Sequence, residues 1–289
     1  MFALNIRCAF VIFFVGAVSG AKILAIVPTP SISHQVVFRP LWRELSLRGH
    51  DVVLMTTDPV NDKSLTNLTE IDLHFSYELM NVKHNITDII NRYGGNPFRM
   101  LDAIINMNDD ICNEQLSHVD VQKLLFDEDV HFDLVMVEVL QPVMFAFGQR
   151  FDCSMIGIVS MNAQSAAYEI MGNPYNPITD PEFMLPFAGK LNFPERLISV
   201  LHRIFVKYYS YTHVLPMTHR TIQRRFGHNK SLADIRERFS MLFLNVHPAL
   251  FGVRPLVPSV VDIGGGLHIQ PPKPLPQVNA ITQFNIIYV

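Results

Sequence analysis

Apolar residues run almost without a break through Lys22–Val27 (KILAIV) and stop at Pro28 and Pro30. A continuous run of this kind, rather than an alternating one, predicts a strand buried on both faces of a parallel sheet. In the SISHQVVFRPLWRELSLRGH that follows, Val37, Leu41, Leu45 and Leu47 recur at near-helical spacing, and Gly49 stands where a helix C-cap belongs. One helix is therefore expected before a second strand at Asp51–Thr57 (DVVLMTT). Strand, helix and strand form a Rossmann-like βαβ unit, right-handed by the crossover rule.

The alternation continues more loosely. IDLHFSY from Ile71 predicts a strand, and Pro97–Leu116 a helix with Met100, Leu101, Ile104, Ile105 and Met107 as its apolar surface. FDLVMVEVL from Phe132 predicts a buried strand, Pro142–Phe151 a short helix with Pro in its first turn, and Met155–Ser160 a further strand. The segment Gly172–Phe187 is rich in Pro and Asn, so it is expected to be a surface segment or pocket wall. Leu197–Leu215 is apolar and aromatic but interrupted by His202, Arg203, Lys207 and His213. It reads as an amphipathic helix lying against the core or a membrane surface, with the core preferred. Met241–Val246 predicts a strand, and Val260–Ile269 a strand leading into a glycine turn. QPPKPLP at Gln270–Pro276 has the composition of an extended linker. The pattern as a whole gives an α/β fold, a Rossmann-like parallel sheet with helices on both faces.

Composition sharpens this picture in three places. With 289 residues, 49% hydrophobic and 17% charged, the chain is globular and long enough for one large core. A net charge of -3 argues against nucleic acid as a partner, because tracking phosphates needs an excess of Lys and Arg. At the N-terminus, Arg7, the apolar run Cys8–Val18 and the small residues Val18-Ser19-Gly20 read as a cleaved signal peptide over 1–20, which places the protein in the endoplasmic reticulum lumen or secretory pathway. Removing it leaves Cys112 and Cys153, enough for one bridge but not for a disulfide-built scaffold. The sequons at Asn67, Asn85 and Asn229 then become candidate glycosylation sites.

The blocks KILAIVPTPSISH, PLWRELSLRGHDVVLMTTDP, FDLVMVE, SMLFLNVHPAL and VPSVVDIGGGLHIQPPKPLP, following a signal peptide, resemble the UDP-glucuronosyltransferase and UDP-glucosyltransferase family of animals, most closely its insect members. The resemblance runs from Ala21 to Pro276 and implies the N-terminal, acceptor-binding domain of a GT-B fold over 21–269, with 270–289 as linker and start of a donor domain. The family's second domain carries a THGGxxSxxE-type signature, which this sequence lacks. The Gly264-Gly265-Gly266 run lacks the GxGxxG spacing needed to cradle a diphosphate and reads as a plain turn. The chain is thus expected to be the N-terminal half of a longer enzyme and inactive alone. The alternative is a non-catalytic short form that binds lipophiles or regulates full-length transferases by dimerising with them.

The implied chemistry is inverting transfer of glucose or glucuronic acid from a UDP-sugar to a small lipophilic hydroxyl acceptor, with the UDP-sugar as co-substrate and no other cofactor. A lone loop histidine is by itself unremarkable, but His34 of PTPSISH matches the family's catalytic base. Where the family has an orienting Asp, at the end of FDLVMVE, this chain has Glu138, one methylene longer, completing the implied catalytic pair. Asp133 begins the same strand and lies at its wrong end. Ser33, the Ser160–Gln164 stretch and the segment from Gly172 are the candidate walls of the acceptor pocket, with Ser33 and Ser160 as candidate contacts. No metal is implied, since the histidines are scattered and no His or Cys pair has zinc spacing.

Overall fold

The computed structural model describes residues 20–266 apart from 183, 188 and 229. Residues 1–19 of the expected leader over 1–20, Asn229 and the linker segment 270–289 lie outside the described residues. Seven strands form one sheet: β1 (Lys22–Val27), β2 (Asp51–Thr56), β3 (Leu68–Asp72), β4 (Leu134–Glu138), β5 (Ser154–Val159), β6 (Phe239–Leu244) and β7 (Val260–Asp262). Their order is β3-β2-β1-β4-β5-β6-β7, with every neighbouring pair parallel.

The uninterrupted apolar runs follow from this topology. Side chains alternate across a strand, so Leu24 and Ile26 of β1 enter one core while Ile23, Ala25 and Val27 enter the other. Both faces are covered, and neither tolerates polar positions. One face is closed by Phe38 and Trp42, the latter on helix α2 (Arg39–Leu47). The opposite face is closed by Cys112 of α3 (Pro97–Gln115), Leu124 of α4 (Val119–Phe126), Phe147 of α5 (Ala146–Arg150) and Ile222 of the later helix Leu215–Phe226.

Four expectations need correction. The single helix after β1 is two: a short α1 (Ile32–Gln35) and then α2. Pro40 lacks the amide proton that would continue α1 and instead occupies the first turn of α2. The face of α2 is set by buried Trp42, while Leu47 is exposed. Strand β3 ends at Asp72, and Tyr77 of IDLHFSY is already helical; β3 sits on the sheet edge with only Ile71 buried, so its own signal is weak. The one bridge that Cys112 and Cys153 could form is not made: both are free and buried. Burial also raises both thiols, Cys112 well above the ordinary range.

The fourth correction concerns the expected amphipathic helix. Helix α7 (Phe193–Tyr209) starts at a capping box, in which Asn192 and Glu195 satisfy each other's backbone amides at 3.0 and 2.8 Å. It runs through a π-turn at Ser210–Val214 into α8 (Leu215–Phe226), where Pro216 interrupts the regular hydrogen bonding. The inward face of α7 is polar. Ser199, His202 and Arg203 are buried, whereas Phe193, Leu197, Leu201 and Ile204 are exposed. The Arg203 guanidinium donates to Ser165 Oγ and to Glu169 on helix α6 (Ser165–Ile170), lies 3.8 Å from Glu182 and stacks 5.4 Å from the ring centre of Tyr175. Ser165 in turn donates to Glu182, whose carboxyl burial pushes up. This buried charge network ties α7 to the Pro-rich segment and dictates which side faces in.

His202 is 1% exposed and packs against Phe98, and neither ring nitrogen has a hydrogen-bond partner. Burial lowers its pKa from 6.5. The unfolded chain thus binds the proton more readily, so the stability contributed by neutral His202 is complete above pH 6.5 and is lost as pH falls through that value toward the folded pKa. Below pH 6.5 the loss approaches ~1.4 kcal/mol per pH unit until the folded form also titrates. Urea unfolding at pH 7.5 and 5.5 should show a smaller acid loss in His202→Leu than in the parent. Identical losses would rule this histidine out as the source.

The glycine run after β7 is a turn, and a Cβ at Gly264 would fall 2.4 Å from the Val246 backbone. Close backbone approach therefore explains this glycine.

Candidate active site

From β1 the chain moves outward to β2 and β3, and from β4 it moves the other way to β5, β6 and β7. The direction reverses between β1 and β4, and in open parallel sheets the crevice at the carboxyl ends of such a pair is where ligands sit. His34 follows β1 on α1, and Glu138 is the last residue of β4.

The two side chains meet. His34 Nδ1 lies 2.5 Å from Glu138 Oε1, although the residues are 104 positions apart. Glu138 is fully buried and His34 is 8% exposed. In the tautomer with its proton on Nδ1, His34 donates to the carboxylate and Nε2 presents its lone pair. Among the described residues Nε2 makes no hydrogen bond. The extra methylene of Glu138 therefore reaches the imidazole. Asp133 sits at the opposite end of the sheet, where its Oδ2 accepts from the Lys22 amide at 2.7 Å.

Polar side chains hold the His34 loop in place. Gln35 Nε2 lies 3.0 Å from the Val27 and Thr29 carbonyls, and its Oε1 accepts from Thr56 Oγ1 at 2.8 Å. Gln115 of α3 donates to the Pro28 carbonyl at 2.7 Å. Thr29 Oγ1 donates to the second oxygen of Glu138 at 2.5 Å, and Gln141 Nε2 donates to Thr29 Oγ1 at 2.9 Å. Both oxygens of the buried carboxylate are thus hydrogen-bonded, as a desolvated charge requires.

With this geometry in hand, a sequence profile described as UDP-glucoronosyl and UDP-glucosyl transferase matches residues 21–284. The chain belongs to this family. It is similar to UDP-glycosyltransferase UGT4 of Dactylopius coccus, at 27% identity over 281 residues, covering 92% of this chain and 52% of that protein. UDP-glucosyltransferase 2 of the same insect is 31% identical over 266 residues, with 89% of this chain and 50% of the relative covered. The ecdysteroid UDP-glucosyltransferase of Autographa californica nuclear polyhedrosis virus is 24% identical over 281 residues, covering 92% and 53%. The chain spans about half the length of the curated relatives it matches.

Other candidate residues of this family member are placed differently. Ser33 neighbours His34 on α1, is exposed, and lies with its Oγ 2.9 Å from Ser31 Oγ. Ser160 directly follows the carboxyl end of β5; its carbonyl accepts from Asn245 at 2.8 Å, and its buried hydroxyl has no partner. Neither bonds the His34–Glu138 pair. Among the sequons, Asn67 is exposed, and exposed Asn85 caps the following helix in a left-handed conformation at φ 49°.

The Pro-rich segment is a pocket wall. With the loop after β6 it lines a cavity of about 200 Å³ that includes Tyr168, Tyr175, Asp180, Phe251 and Arg254, apart from His34 and Glu138. Arg254 organises its polar side, donating to Asn162, Tyr168 and Asp180 at 3.0, 2.9 and 2.9 Å. Burial pushes the Asp180 carboxyl up and the Tyr168 hydroxyl up to about 12. Thr29, Gln141 and Arg254 were not singled out from sequence. The signal available for the first two was a polar residue just past each of two adjacent strand ends.

Proposed function

We propose that this protein takes part in inverting transfer of a hexose from a UDP-sugar to a small lipophilic hydroxyl acceptor, with His34 as the base. The observation that carries this reading is the buried hydrogen bond from His34 to Glu138 at the reversal point of the sheet, which leaves Nε2 free. In the proposed step Nε2 takes the acceptor proton as the acceptor oxygen bonds to C1 of the sugar. The bond from C1 to the UDP oxygen breaks on the opposite face, and UDP leaves with that electron pair. The positive charge left on the imidazole is stabilised by Glu138, which stays ionised.

Support for the sugar comes from the relatives, two of which are named as glucosyltransferases, so UDP-glucose is the donor to try first and UDP-glucuronic acid the second. Support for the acceptor comes from the name of the viral relative, an ecdysteroid UDP-glucosyltransferase. The test incubates the longest native form of the protein with each donor and a panel of phenols and steroid alcohols, and reads the glycoside by mass spectrometry. A glycoside with an inverted anomeric centre is expected. Donor hydrolysis without glycoside, or a retained anomeric centre, would sink the reading.

We further propose that α7 rests on a membrane surface, where lipophilic acceptors accumulate. Phe193, Leu197, Leu201, Ile204 and Tyr208 of α7 and Tyr211 of the π-turn after it recur at helical spacing on one exposed face, beside exposed Lys207, which pairs with Glu169 at 3.1 Å. No helix among the described residues is long and apolar enough to cross a membrane, so the contact would be interfacial. Co-sedimentation with phosphatidylcholine–phosphatidylserine vesicles should be lost in the Leu201→Glu/Ile204→Glu double variant. Equal sedimentation of parent and variant would refute the contact.

A further inference from the structure

We propose that Thr29, with Gln141 behind it, is a positioning residue for the His34–Glu138 pair; this rests on the reading of His34 as the base. With Glu138 as the carboxylate, the proton assignments along the chain of contacts have one consistent solution. Ionised Glu138 can only accept, so the Thr29 hydroxyl must donate its single proton to Oε2. Thr29 Oγ1 can then only accept from Gln141, which requires the amide nitrogen of Gln141, and not its oxygen, to face it. Gln141 Oε1 is accordingly left buried without a partner. The direction of every bond is fixed from Gln141 through Thr29 to Glu138, and from His34 to the other carboxylate oxygen.

The backbone is built to hold Thr29 still. It lies between Pro28 and Pro30, and a residue preceding proline is confined to extended conformations. Its carbonyl is also held, by Gln35 Nε2 at 3.0 Å and by Thr57 Oγ1 at 3.1 Å. A rigid donor on one carboxylate oxygen sets the angle at which the other meets the imidazole, and thereby where Nε2 points. It also accounts for the length of Glu138, whose two oxygens reach Thr29 and His34 from a backbone on the neighbouring strand.

The test compares Thr29→Val, Thr29→Ser and Gln141→Leu with the parent in the longest native form of the protein. Thr29→Val keeps the shape and removes the donor to a buried charge; it should lower kcat about tenfold with KM unchanged. Thr29→Ser keeps the hydroxyl and should restore most of the rate, which a purely packing role does not predict. A readout independent of turnover is the ¹⁵N spectrum of the histidine-labelled protein, with the His34 resonance assigned by its loss in His34→Ala. Parent and Thr29→Ser should show His34 protonated at Nδ1, whereas in Thr29→Val and Gln141→Leu the carboxylate, no longer held, turns away from the ring and population should shift toward the Nε2-protonated tautomer. Parent-like kcat and tautomer in Thr29→Val, with His34→Ala still impaired, would overturn the positioning role and leave the base intact. A parent-like rate in His34→Ala would overturn both.

Discussion

His34→Ala should lower kcat and kcat/KM for glycoside formation together, by about 10²–10⁴-fold, the usual contribution of a positioned general base. The imidazole is 8% exposed and its loss leaves the Glu138 carboxylate with one donor fewer in a fully buried position. A loss of folding must therefore be separated from a loss of chemistry. His34→Gln, which retains a hydrogen-bonding side chain but cannot take the proton, is the companion variant and should be equally slow. Steady-state assays at matched thermal stability decide the matter.

The second large effect comes from a change that looks conservative. Glu138→Asp shortens the side chain by one methylene on a backbone fixed in register by β1 and β5, with Ile26 opposite Val137 and Glu138 opposite Ile158. The carboxylate retreats from His34 and Thr29 at once, both of which it now meets at 2.5 Å. A displacement of this order in a positioned group costs about 10²-fold in rate, so Glu138→Asp should be slower than Thr29→Val. The family resemblance puts an Asp at this strand end, so a parent-like rate in Glu138→Asp would mean that the backbone adjusts and that side-chain length is not what the site selects.

The sheet was legible because parallel strands covered on both faces leave long apolar runs, as KILAIV and DVVLMT do. The sequence pattern starts edge strand β3 too late along the chain because only Ile71 is buried in it, so its periodicity carries little information. The helix at Phe193–Tyr209 shows a different limit. Its apolar stripe was plain, but periodicity identifies faces without saying which one turns inward. That choice is made by Arg203 meeting Ser165, Glu169 and Glu182, contacts spanning from 21 positions, for Glu182, to 38, for Ser165, that no local pattern announces.

The site was legible to the same depth. His34 and Glu138 entered through the motif blocks, and their geometry is what a base and its orienting carboxylate need. Thr29 and Gln141 are ordinary loop residues in the sequence, 112 positions apart, and become a unit only when β1 and β4 lie side by side.

The central claim, that His34 removes the acceptor proton, is tested most directly by the dependence of transfer rate on acceptor acidity, measured side by side in the parent and in His34→Ala. An acceptor that ionises unaided has little need of a base. The loss on removing His34 is therefore predicted to be greatest for aliphatic alcohols and to shrink steadily toward an acidic nitrophenol. A loss of the same size across the series would contradict the assignment of His34 as the base.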